Sequence, residues 1–149
     1  MIITARKLAS ASPLKPRQAD LRRSISTAYY ALFNVLARNG ADLLVGAGAA
    51  RLSQAWALVY RALDHGFAKK ACREVRNLDF PPEIKNCAIR FVELQEARHK
   101  ADYDPTARFT RADALHWMNR AEAATTSLSA ALRRDRKAFA VQLLLKKRS

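Results

Sequence analysis

Apolar residues recur along most of this chain at intervals of three and four, the period of one face of an α-helix. From Pro16 onward, Leu21, Ile25, Ala28, Leu32 and Leu36 form one such face, widened by Tyr29, Phe33 and Val35. Pro16 suits a first helical turn, where its missing N–H costs nothing. Gly40, after Arg38-Asn39, predicts the C-terminal stop. Before this helix, Ser10, Ser12 and Pro13 break any long element, leaving room for a short helix from Ala5 to Ala9. A Gly/Ala-rich connection over 40–50 leads to a second helix from about Arg51 to Leu63, with Leu52, Trp56, Val59 and Leu63 on one side. Asp64-His65-Gly66 is a break, followed by a shorter third helix near Phe67–Arg76 and a turn at Asn77-Leu78-Asp79.

Pro81-Pro82 opens a fourth helix to about Ala101, with Ile84, Cys87, Phe91 and Leu94 on its inner face. The same spacing reaches Arg98 and then Asp102. Arg98 is therefore predicted to point inward or into a groove, and a buried charge must be paired or used. Asp104-Pro105 ends this helix. Thr110 with Asp113 resembles a capping arrangement, and Leu115, Met118, Ala121, Thr125, Leu128 and Leu132 continue as a fifth amphipathic helix. The tail from Arg133 carries seven Lys/Arg against one Asp and is expected to extend that helix, with Phe139, Leu143 and Leu144 as an apolar stripe. No alternating strand pattern occurs. The predicted fold is all-α, one domain over 1–149 built as an antiparallel four-to-five-helix bundle, with a basic helical tail from about 133.

Composition agrees: 29 alanines against nine Gly and Pro favour helix over sandwich or barrel. The charge adds something new. A net +14 and a pI near 10.6 attract phosphates, in nucleic acid or at an anionic surface. Cys72 and Cys87 are spaced for neither a zinc site nor a redox pair. No stretch approaches the roughly 18 uncharged apolar residues of a membrane span, and the N-terminus lacks a secretory apolar core. A cytoplasmic protein is therefore expected. His65, His99 and His116 show no paired metal spacing, so neither metal nor cofactor is expected. Gly46 and Gly48 lack the strand and the Gly-Lys-Ser/Thr of a nucleotide loop, and no Gly-x-Ser-x-Gly is present.

Two segments stand apart: Arg22-Arg23-Ser24-Ile25-Ser26-Thr27-Ala28-Tyr29-Tyr30-Ala31-Leu32-Phe33-Asn34, and Ala97-Arg98-His99-Lys100-Ala101-Asp102-Tyr103-Asp104-Pro105. In this order, in an all-helical chain, they resemble the HEPN superfamily, nearest its small bacterial single-domain branch, over roughly Arg17 to Leu132. The resemblance implies a HEPN-like bundle that forms a homodimer and associates with RNA. Many such proteins are metal-independent endoribonucleases of toxin–antitoxin or defence systems, paired with a nucleotidyltransferase-like antitoxin. Mapped onto this chain, Arg98 fills the arginine of the active motif and His99 its polar place. The histidine place holds Tyr103, and Asn34 stands where a histidine often follows the phenylalanine. Arg98, His99, Asp102 and Tyr103 are thus the expected catalytic set.

The chemistry explains why these residue types matter. Metal-independent RNA cleavage needs a base for the 2′-OH, an acid for the leaving 5′-oxygen and a cation for the phosphorane charge. Imidazole suits the first two and a guanidinium the third. A tyrosine, with a pKa of about 10, is a poor base but a competent phosphate hydrogen-bond donor. The plainer expectation for Arg98 is a salt bridge to Asp102 one turn on. Tyr29 and Tyr30 read as packing residues or as stacking platforms. Arg22, Arg23, Lys100, Arg133 and Arg134 are the expected nucleic-acid-binding cations, the tail being either a solvated helix face or an electrostatic grip. The alternative function is a non-catalytic HEPN binding module, partner or regulator of a nucleotidyltransferase-like protein.

Overall fold

The computed structural model describes residues 1–9 and 17–148. The expectations for Ser10, Ser12, Pro13 and Pro16 lie outside them. Within the described residues every regular element is helical: α1 (Ile2–Ala9), α2 (Gln18–Leu44), a short 3₁₀ segment (Gly48–Leu52), α3 (Gln54–Ala62), α4 (His65–Val75), α5 (Pro82–Tyr103), α6 (Arg111–Ala130) and α7 (Arg133–Leu144).

Side-chain contacts set the directions. Arg22 meets Ala101 and Asp104, Ser26 meets Asp102 and Tyr30 meets Arg98, so α2 and α5 run antiparallel. Arg120 pairs with Glu93 and Arg90 with Ser127, so α5 and α6 also run antiparallel and α2 lies parallel to α6. These three helices form the centre. On α5, Ile84, Cys87, Phe91 and Leu94 are fully buried as their spacing predicts, each large apolar side chain contributing about 1.5–3 kcal/mol of burial. Alanines 28, 88, 97, 114, 121 and 124 fill the remaining seams. The α1 helix lies antiparallel to α2, with the buried Ser24 hydroxyl donating to the Ala5 carbonyl at 2.7 Å. At the start of α6, the expected capping box is formed by Thr110 and Asp113, at 3.0 and 2.8 Å.

Several expectations need correction. Gly40 does not stop α2. It is buried in mid-helix, and a Cβ there would meet Leu144 Cδ1 at 2.7 Å, so the glycine makes room for α7. The helix ends four residues later, before Gly46 at φ 144°. The tail does not prolong α6. Ala131 and Leu132 are extended, and α7 turns back to pack on α2 and α4, burying Phe139 against Phe80. That turn leaves Leu132 60% exposed, and on α6 the buried first-turn position is Ala114 rather than Leu115. Leu52, 92% exposed, belongs to the 3₁₀ segment, because Ser53 caps α3 by accepting from the Trp56 amide. With α1 and the separate α7, the described residues form seven α-helices, more than the four or five expected.

Candidate functional site

The inner face of α5 ends on Arg98, 9% exposed, as the spacing predicts. Its guanidinium carbon lies 5.1 Å from the ring centre of Tyr29 and 5.3 Å from that of Tyr30. Nη2 donates to the Tyr30 hydroxyl at 3.3 Å, and Nε lies 3.8 Å from Asp102 Oδ2. The second distance is an ion pair but not a hydrogen bond, so Nε is a buried donor without an acceptor. Two faces of π density and one carboxylate thus hold the charge. Asp102 in turn accepts from Ser26 at 3.4 Å. Arg98 and Asp102 accordingly both face α2, and the expected i,i+4 pair is present.

The structure adds an imidazole that sequence reasoning passed over. His65 opens α4 beside the Asp64 cap, and its Nδ1 is 2.6 Å from the Tyr29 hydroxyl. Its ring stacks on Phe33 at 4.1 Å and 20°. Gln95 on α5 donates to the His65 carbonyl at 3.0 Å, fixing the start of α4. Burial, followed by the nearby Arg98 charge, pulls the His65 pKa below its ordinary value, so the ring is neutral at pH 7. Burial likewise pushes the Tyr29 phenol up, so it keeps its proton. The Tyr29 hydroxyl and His65 Nδ1 share one hydrogen bond, whose donor is set by the His65 tautomer. Three helices therefore bring together a guanidinium, a neutral imidazole and two phenols. No local signal marked His65, which lies 36 residues from Tyr29 and in what read as a break.

The rest of the expected catalytic set lies on a different face of α5. His99 and Tyr103 are exposed, Tyr103 by 65%, with ring centres 4.9 Å apart. With Lys100 and Glu96 of the same helix and Lys69 of α4 they line a groove of about 520 Å³. Glu96 pairs with Lys69 at 3.7 Å and Arg73 at 3.1 Å. Asn34 is turned toward α1 and donates to the Met1 sulfur at 3.0 Å.

Among the expected nucleic-acid-binding cations, Arg22 is engaged within the fold. Its guanidinium donates to the carbonyls of Ala101 and Asp104, each at 2.8 Å, and to that of Ala107, while packing over Phe109 at 5.3 Å. These acceptors include carbonyls that the C-terminal end of α5 leaves unpaired. Arg23, Lys100 and Arg133 are exposed, and Arg134, also exposed, lies 3.7 Å from Asp135. Among the described residues no three His, Cys, Asp or Glu side chains converge as a metal site, and no helix is long and apolar enough to cross a membrane. Compared with protein-family models, with curated proteins and with solved structures, the chain finds no match.

Proposed function

We propose that this chain is a HEPN-like, RNA-associated protein that acts as a metal-independent endoribonuclease within a toxin–antitoxin or defence system. In this reading it works as a homodimer in the cytoplasm, opposed by a nucleotidyltransferase-like antitoxin. One observation carries the proposal: the two segments on which the HEPN resemblance rests meet in space, Arg98 of the second lying against Tyr29 and Tyr30 of the first. Around that contact stand the components that metal-independent cleavage needs. Arg98 supplies the cation for the non-bridging phosphate oxygens. His65 is neutral, and with Nδ1–H donating to the Tyr29 hydroxyl its Nε2 can take up the 2′-OH proton and return one to the 5′-oxygen, transfers that Tyr103 supplies poorly. The 2′-oxygen bonds to phosphorus as the bond to the 5′-oxygen breaks; the 2′-OH proton is taken up and the 5′-oxygen gains one.

The burial of Arg98 favours a second reading. Arg98, 9% exposed and with its guanidinium flanked by two tyrosines, must uncover itself to reach a phosphate. A non-catalytic module, binding RNA or regulating a nucleotidyltransferase-like partner, needs no such step. The test is incubation of the purified protein with structured and single-stranded RNA in EDTA, beside Arg98→Ala. Cleavage by the native protein is expected to fall at least about 100-fold in the variant, the scale of a lost transition-state charge contact. No cleavage by the native protein, with salt-sensitive RNA binding intact, gives the second reading.

A further inference from the structure

Where α4 packs beside α7 there is a second groove, of about 490 Å³, within the usual size of a small-ligand pocket. Its apolar lining is made by the buried Ala71 and the half-buried Phe67 of α4 and by the exposed Leu145 just past α7. Its rim carries three lysines, Lys70 on one side and Lys146 and Lys147 on the other. The acid in its lining, Glu74, accepts from the buried Gln142 amide at 3.2 Å, so it is held in place and the rim keeps a net positive charge. None of these lysines was singled out by the sequence, because they come together only once α7 folds back on α4.

From this arrangement we infer that the α4–α7 groove binds one nucleotide of a single-stranded RNA, the base against Phe67 and the apolar lining, the flanking phosphates on Lys70, Lys146 and Lys147. The inference rests on the RNA reading above and deepens it by naming where the strand is held. Charge complementarity selects the phosphates and the half-buried Phe67 ring selects a planar base, the pairing that sequence-tolerant single-strand binders use. Phe67 lies two residues beyond His65, about 200° round α4, so the groove and the Arg98 cluster lie on different faces of that helix.

The test measures binding of a labelled twelve-residue oligouridylate by fluorescence anisotropy across salt concentrations. Native protein is compared with Lys70→Gln/Lys146→Gln/Lys147→Gln, with Phe67→Leu and with Arg133→Gln/Arg134→Gln, each checked for native helicity. The lysine triple is expected to reduce the slope of log K against log salt by about 1.4, the loss of the two flanking single-strand phosphate contacts. Phe67→Leu keeps the apolar volume and is expected to weaken binding roughly tenfold with the slope unchanged, as one stacked base is lost. An oligonucleotide carrying 5-iodouridine is expected to crosslink to the Phe67 segment. RNA binding that is unaffected by both groove variants, or lost only with Arg133 and Arg134, overturns the groove and leaves the RNA reading standing. No RNA binding at 50 mM salt overturns both. Binding of phosphatidylserine vesicles, sensitive to the lysine triple and without RNA binding, assigns the groove to lipid phosphate and overturns the inference.

Discussion

Arg22→Ala is expected to lower the stability of the fold by about 3 kcal/mol, the largest single-site loss away from the apolar core. The guanidinium meets three carbonyl oxygens, those of Ala101, Asp104 and Ala107, and lies over Phe109. A hydrogen bond to a charged donor contributes about 1.5–3 kcal/mol, and an acceptor stranded without one costs about 1–3 kcal/mol. Partial access of water to these carbonyls keeps the total below the sum. In a chain of this length the change corresponds to a drop in Tm of roughly 6–12 °C. Arg22→Lys is expected to recover only part of it, because one ammonium cannot span three acceptors as a fork does. Urea denaturation of the three proteins checks this. A loss for Arg22→Ala below about 1 kcal/mol would show that the clasp is dispensable and that the α5–α6 connection holds itself.

His65→Gln is expected to produce the largest functional effect after Arg98, a loss of about 100- to 10,000-fold in RNA cleavage, the range in which a positioned acid or base contributes. Its pH dependence separates a proton-transfer role from a packing role. The folded His65 has a pKa below its unfolded value, through burial and the Arg98 charge. Between those two values the unfolded chain binds more protons than the folded one, so stability rises with pH there. The corresponding stability is present above about pH 6.5, the ordinary histidine value, and is lost as pH falls below it. Denaturation at pH 5.5 and pH 8 is therefore expected to differ more for the native protein than for His65→Gln. The acid limb of the cleavage profile is expected to fall below pH 6.5 in the native protein and to vanish in the variant. Equal pH dependence in the two proteins would remove His65 from the proton chemistry.

What the sequence made legible follows from the range of the forces involved. The inner face of α5 was readable through Arg98 because its period depends only on local helix geometry, and the structure buries Ile84, Cys87, Phe91, Leu94 and Arg98 in register. The capping box at Thr110 is likewise local. Gly40 misled because a glycine after Arg-Asn has the same local signature whether it ends a helix or admits a neighbour, and the neighbour lies about a hundred residues away. Arg22 read as a surface cation because carbonyl acceptors leave no mark in a sequence. At the candidate site, Arg98 and its pairing with Asp102 were readable from spacing. His65 was not, since its role depends on how α4 docks against α2 and α5, and side chains that meet across such separations share no periodic pattern.

Asp42 carries a consequence for how the molecule opens. It accepts from Arg51 at 2.9 and 2.8 Å and from the Trp56 indole at 3.0 Å, and Trp56 stacks on Tyr60 at 5.0 Å. No residue of α3 is itself buried, so polar contacts and partly covered rings hold that helix to α2. Apart from Tyr60, which packs on the core, little apolar burial is stored there, and α3 is expected to open at a lower free energy than the α2–α5–α6 centre. The two tryptophans divide accordingly: Trp117 packs on the core, whereas Trp56 sits on the more easily opened segment. The molecule thus carries separate built-in reporters of local and of global opening, and a fluorescence signal that mixes them describes two equilibria rather than one.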